Sequence, residues 1–276
     1  MVFKLIEKRM RFPFERLKIF RWDDRKMTII TIYLFCSGLV LGSFFNVVGL
    51  RLPLGKSLIY PSSSCPSCSS RLKVIELIPV ISYIWQKGSC RVCKYKISAL
   101  YPTIELSTAV LFSIAPFITN GFGEGLLYIT LSSLLIMVIV SDLSYMVIPN
   151  SLLLFFLPIL ILEQWYFSLA SFSHMAIGGI LGYLVLLAIL LLSRGGMGGG
   201  DVKLFGVIGL VLGIKGVFLS LFLAVLFGAC GAVIGMIIGR VQKGKPFPFG
   251  PYIAFGTFIV YMKGDQLFSW YMGFFI

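Results

Sequence analysis

Histidine is almost missing from this chain and acids are scarce. One histidine, His174, and eleven aspartates and glutamates stand against 24 lysines and arginines in 276 residues. With so little imidazole, and no serine or cysteine in an obvious arrangement with a base, histidine-assisted nucleophilic catalysis is poorly provided for. Charged residues of all kinds make up only 13% of the chain, while 58% is hydrophobic. Most of the chain therefore cannot face water without exposing large apolar surface. The glycine-rich fingerprint of a dinucleotide-binding turn is also missing. No small-residue cleavage site follows the first apolar run, so that run is expected to be retained rather than removed as a signal peptide.

What is present is a series of apolar runs near the roughly 20 residues that a helix needs to span a bilayer. They cover 27–50, 99–119, 125–141, 151–168, 174–193, 202–214, 216–239 and 250–264. Only "GIKG", from Gly213 to Gly216, separates the sixth from the seventh. The expected fold is an all-α polytopic membrane protein of about eight transmembrane helices, with a small polar loop domain after the first span. Residues 1–26 carry nine Lys and Arg and four acids among scattered aromatics, a basic amphipathic segment suited to anionic lipid. Residues 27–50 form the first span, 51–98 the loop domain and 99–276 the main membrane domain.

The loop domain holds eight Lys and Arg against one acid, Glu76, which places it in the cytoplasm by the positive-inside rule. Eight spans then put Arg194, Arg240, Lys243 and Lys245 on the same side and Lys215 and Lys263 on the other. The same count leaves the basic N-terminus outside, against the rule. The net charge of +13 is concentrated in these juxtamembrane stretches. Lipid headgroups, and not nucleic acid, are its expected partner.

Two of the six cysteines, Cys36 and Cys230, lie in apolar runs and read as small core residues. The other four form "CPSC" (Cys65, Cys68) and "CRVC" (Cys90, Cys93), two pairs separated by 21 residues. Each pair suits a knuckle that offers two thiolates to one tetrahedral zinc, and four thiolates would close a structural site. Two disulfides are the alternative, which would require an oxidising compartment. A 48-residue loop is too small to bury a core of its own, so a metal would hold it together.

The acids of the membrane domain are few enough to take singly. Glu124, Glu163 and Asp265 fall beside outer span ends and read as solvated interface residues. Asp142 closes an apolar run just before "IPN", and Asp201 follows "RGGMGGG" and opens the next span. Both fall at cytoplasmic helix ends, 59 residues apart in sequence but at one depth. Ionisable groups there are costly and read as functional. Two carboxylates close together in a low-dielectric site cannot both ionise easily, so one serves as general base and the other as general acid. Activating water on a peptide bond needs nothing more. Gly198, Gly199 and Gly200 before Asp201 would let backbone approach closely and take positive φ, leaving room for an extended substrate; a flexible connection is the alternative. Lys203 either tunes a nearby carboxylate or snorkels to the headgroups. Gly178 with Gly182, and Gly231 with Gly235 and Gly239, have the small-x-x-x-small spacing of close helix contacts.

These motifs together resemble the bacterial type IV prepilin peptidases of pilus, type II secretion and competence systems. The matching stretches are "GSFFNVVGLRLP" at 42–53, the paired C-x-x-C, "ELIPVISY" at 76–83 and "YPTIE" at 101–105. "IPN" after Asp142, the G-x-G-D form at 198–201, "KLFGVIGLVLG" and "FPFGPYIAFG" at 247–256 complete the set. The resemblance covers about residues 40–260. It implies an enzyme of the bacterial inner membrane that removes a basic leader from prepilins or pseudopilins after a glycine at the cytoplasmic face. It further implies methylation of the new N-terminus with S-adenosylmethionine, Asp142 and Asp201 as the catalytic pair, and a metal in the cysteine loop. Glu76 and Glu105 fall in the region that the resemblance ties to methyl transfer, and Glu105 is a candidate partner for the substrate amine. Other G-x-G-D intramembrane proteases lack the cysteine loop and the "GSFFNVV" start. A transporter would carry its carboxylates on broken helices nearer midmembrane.

Overall fold

The computed structural model describes residues 24–193, 197–239 and 247–273. The basic segment before residue 24, and Arg194, Arg240, Lys243 and Lys245 from the orientation count, lie outside the described residues. Among the described residues eight α-helices follow in order: α1 (Asp24–Arg51), α2 (Ile81–Trp85), α3 (Leu100–Ile118), α4 (Phe122–Tyr145), α5 (Asn150–Tyr166), α6 (Phe172–Leu192), α7 (Gly199–Ile237) and α8 (Gly250–Met272). Five of them (α1, α3, α4, α6 and α7) are long and apolar enough to cross a membrane, and α5 is a shorter apolar helix. The protein is a multi-pass, all-helical membrane protein, as its composition requires.

At 39 residues α7 would span about 58 Å if straight, nearly twice the hydrocarbon thickness. It is broken at Gly213, where φ is 69° and ψ −172°. Its second limb returns: Gly228 and Gly231 meet Phe249 and Tyr252 at the start of α8. The Gly250 amide in that same turn bonds Asp142, whose charge reaches Asp201 at the start of the first limb. Both ends of α7 therefore lie at one end of the bundle. The separation expected at "GIKG" is this break, and α7 supplies two of eight helical passages.

At the centre is α4, apolar on nearly every side, and Leu127, Leu131, Leu134, Leu135, Val138 and Val140 are almost wholly buried. Without water to drive association inside a bilayer, helices gain by close contact, and small residues mark the seams. Gly178 faces the Gly209 carbonyl and Gly182 the Phe205 carbonyl across the α6–α7 seam. Gly38 and Gly42 admit the α3 backbone at Ala109 and Glu105. Gly231 lies under the Tyr252 hydroxyl, whereas Gly239 has φ 75° beyond the last turn of α7, and a Cβ there would meet none of the described residues within 4 Å. A left-handed glycine at that position ends a helix, so Gly239 is a terminator and not the packing residue that its spacing suggested.

Glu124 and Glu163 also depart from expectation. They are buried, at 4% and 9% exposure, because α4 and α5 turn these positions toward neighbouring helices. Sequence position near a helix end does not reveal which way that end faces.

Candidate active site

Asp142 lies on the last turns of α4, and Met146, with φ 55°, turns the chain out of the helix. The Ser141 hydroxyl donates to the Val147 carbonyl and folds this turn back on α4. "IPN" then starts α5, Pro149 being the residue before its first turn. This compact turn docks on the glycine run. A Cβ on Gly200 would come within 2.8 Å of the Ile148 Cβ, so only glycine lets α7 begin there. Lys203 Nζ donates to Asn150 Oδ1 at 2.8 Å and ties the same two segments together. Lys203 thus has a defined partner in the turn.

That docking brings Asp142 and Asp201 into electrostatic contact at one end of the bundle, with exposures of only 6% and 7%. Each has one oxygen tied to backbone. Gly250 N–H donates to Asp142 Oδ2 at 2.7 Å, and Gly198 N–H donates to Asp201 Oδ2 at 3.3 Å. Both arrangements use helix starts. Gly250 is the first residue of α8, and Asp201 sits in the first turn of α7, where backbone N–H groups lack intrahelical partners and the dipole favours negative charge. Neither Gly198, Gly199 nor Gly200 takes a positive φ, so the expected left-handed backbone is absent there. The close approach is real at Gly200, and a Cβ on Gly199 would meet none of the described residues within 4 Å.

Gly250 escaped the sequence reading as a site residue. It acts through its amide, and the signal for it was Pro251 behind it, since proline favours the first turn of a helix.

The four cysteines converge. Their sulfurs lie within 4.8 Å of one another, with Cys65 and Cys93 3.7 Å apart and Cys68 and Cys90 4.0 Å apart. Sulfurs tetrahedrally placed about zinc at 2.3 Å are about 3.8 Å apart, so this group can hold a metal ion. The two knuckles repeat one geometry. Cys65 N–H bonds the Ser70 carbonyl and Cys90 N–H the Tyr95 carbonyl, and the residue after each second cysteine, Ser69 or Lys94, has positive φ. From residue 52 to 98 only Cys65 and Cys90 are buried, so the loop has no other core. Amides of Cys93 and Val92 lower the Cys90 thiol to about 6, and the Ser70 hydroxyl lowers Cys68.

Glu76 and Glu105 stand apart from the aspartates in the contacts they make. Glu76 Oε2 accepts from the Lys73 amide at 2.8 Å, and its Oε1 lies 3.6 Å from Arg91 Nε, joining the loop's middle to its second knuckle. Glu105 is buried on α3 and accepts the Val80 amide at 2.8 Å, which pins α2 to the membrane helices. Nearby, Asn46 donates from Nδ2 to the Tyr101 carbonyl at 3.1 Å, while its Oδ1 is buried without a partner.

Paired aspartates held at helix starts at the mouth of a membrane bundle are the equipment of a polytopic aspartic peptidase. The comparisons carry this further. The bacterial peptidase A24 N-terminal domain matches residues 36–118, and the type IV leader peptidase family matches residues 129–236. A curated relative, the prepilin leader peptidase/N-methyltransferase of Bacillus subtilis, is 43% identical over 239 residues, covering 87% of this chain and 96% of its own length. Proteins of the same name from Aeromonas hydrophila and Pseudomonas aeruginosa are 34% and 32% identical over 271 and 269 residues, each covering 86% of this chain and more than nine-tenths of the relative. No solved structure matches the chain. The chain belongs to the type IV prepilin leader peptidase family.

Proposed function

We propose that this chain is a prepilin peptidase of the bacterial inner membrane, with Asp142 and Asp201 as its catalytic pair and a second, methyl-transferring activity. It removes the basic leader of a prepilin or pseudopilin after a glycine at the cytoplasmic face. The observation that carries the reading is the interlock of the two motifs, in which Gly200 beds on Ile148 and Lys203 on Asn150, with both carboxylates beside it.

The carboxylates share a proton, because two full negative charges in a nearly dry site repel strongly. The ionised one takes a proton from water as the oxygen attacks the scissile carbonyl. Its protonated neighbour donates to the carbonyl oxygen, and the pair then delivers a proton to the departing nitrogen. The amides of Gly250 and Gly198 fix the carboxylates so that little reorganisation is needed in the transition state. Gly199, clear of the other described residues, gives an extended peptide its approach.

Cys65, Cys68, Cys90 and Cys93 hold a structural zinc that replaces the core the loop lacks. S-adenosylmethionine, when bound, supplies an activated methyl group for the new N-terminal amine. The buried carboxylate of Glu105 and the bare Asn46 oxygen give the first helices the negative charge and free acceptor that suit a sulfonium cation.

The test is purified protein in lipid with a peptide carrying a basic leader, a glycine junction and an apolar stretch, read by mass spectrometry. Cleavage after glycine is expected, with a further methyl mass when S-adenosylmethionine is added. Asp142→Asn and Asp201→Asn should each lower cleavage roughly hundred- to ten-thousand-fold. Unchanged cleavage in either folded variant would remove the pair from the mechanism.

A further inference from the structure

Between its two cysteine knuckles the polar loop leaves a row of large apolar side chains uncovered. Helix α2 turns Ile81, Ile84 and Trp85 to one side, the i, i+3, i+4 pattern of a single helix face, and they are 56%, 68% and 71% exposed. Ile78, just before the helix, is exposed as well. Tyr83, on the other face, turns into the loop with its hydroxyl directed at the Ile97 carbonyl. An apolar patch of this kind on an otherwise polar segment marks a surface that binds something.

The position of α2 along the bundle identifies what covers that face. Val80, the residue before its first turn, has φ 61°, a backbone conformation that a β-branched residue rarely adopts. Its amide donates to Glu105 Oε2 at 2.8 Å, which holds it there. Glu105 is buried about a turn and a half into α3, against Gly42 of α1. The 19 residues of α3 rise about 28 Å, no more than the roughly 30 Å of hydrocarbon that they cross. α3 therefore has no length to spare outside the membrane. A backbone bonded to its second turn stands at the boundary between hydrocarbon and headgroups.

Aromatic residues mark the same level. Tyr101 in the first turn of α3 and Tyr145 at the end of α4 are exposed and within electrostatic reach of each other. At the opposite end of the bundle, Trp165 and Tyr166 close α5, Trp270 and Tyr271 close α8, and all four are exposed. Two aromatic girdles a span apart are the interface marks of a membrane protein, and Trp85 stands with the first. The charge also fits. Lys73 and Lys87, on either side of α2, are exposed, and the loop's one acid, Glu76, faces Arg91, so the basic excess is left for anionic headgroups.

We propose that α2 is an anchor in the membrane interface, with Ile81, Ile84 and Trp85 set among the phospholipid acyl chains of the leaflet on the aspartate side. The cysteine loop then lies along the membrane surface and does not stand off in water. The anchor uses no residue of the aspartate pair or of the thiolate cluster.

The experiment uses the full chain in phospholipid vesicles and reads tryptophan fluorescence with and without Trp85→Phe. The chain has four tryptophans, so the difference between the two proteins isolates Trp85. Phospholipids brominated along the acyl chain should quench most of that difference emission, and acrylamide in the water should quench little of it. Ile84→Asp should move the emission to longer wavelength, open it to acrylamide and relieve the bromolipid quenching, with bound metal unchanged. Where Ile84→Asp does not fold, Ile84→Ser should act in the same direction to a smaller degree. Emission open to acrylamide and untouched by bromolipid would leave the face in water and overturn the proposal. Emission shielded from both quenchers would also overturn it, by placing a protein surface, such as the basic N-terminal segment or a second copy of the chain, over α2.

Discussion

At position 250 a side chain is excluded by the carboxyl group it would displace, since a Cβ there would lie 2.9–3.1 Å from Asp142. Gly250→Ala should therefore cost on the order of 100-fold in cleavage with little loss of folding, because displacing a reacting group by about an ångström has that effect. Peptidase rate and melting temperature measured together would check it; a parallel collapse of both would make Gly250 a packing residue only. Asp142 and Asp201 were legible in the sequence because an acid at the end of an apolar run is an anomaly that composition exposes. Gly250 was not, because what it contributes is a backbone amide common to every residue except proline. Glu124 and Glu163 were misread for a different reason. Nearness to a helix end is encoded locally, but burial there depends on how α4, α5 and α8 meet.

Among the elements, the cysteine loop was the most readable, since thiolate spacing states its own geometry. Cys65→Ser should reduce bound zinc from about one per chain to near none and open residues 52–98 to added protease. Metal analysis with limited proteolysis reads both effects. Low pH should act in the same direction. Ordinary thiols titrate at 9.0, and the depressed Cys90 thiol keeps its thiolate until about 6. Protons therefore compete for this ligand only as pH falls through about 6, where metal should be released, which a zinc-release indicator would follow. The break in α7 was visible as "GIKG", though the sequence could not tell a break from a surface loop. Gly213→Ala should destabilise the protein by about 1–2 kcal/mol from its left-handed backbone alone. The nearby His174 ring, 2.0 Å from the new Cβ, adds a clash. An unchanged melting temperature would mean that the two limbs do not need this turn.

Across the whole molecule, apolar run lengths predicted the passages well, because bilayer thickness fixes the length of a spanning helix regardless of partners. Which passages touch was not legible: the contacts of α4 with α8 join residues more than a hundred positions apart. Glu105 and Asn46 lie on the first helices and the aspartates on later ones, and the proposed function assigns methyl transfer to the former and hydrolysis to the latter. Methyl transfer to a pre-cleaved peptide should then survive Asp142→Asn, and a mass-spectrometric methyl assay giving loss of both activities would mean one shared site. The hydrogen bond between Asp142 and Gly250 also carries a timetable. A ribosome delivers Asp142 and Asp201 to the membrane well before residue 250, so a nascent chain owns both aspartates while one lacks its partner. The aspartate pair therefore gains its full set of hydrogen bonds only as α8 enters the bundle.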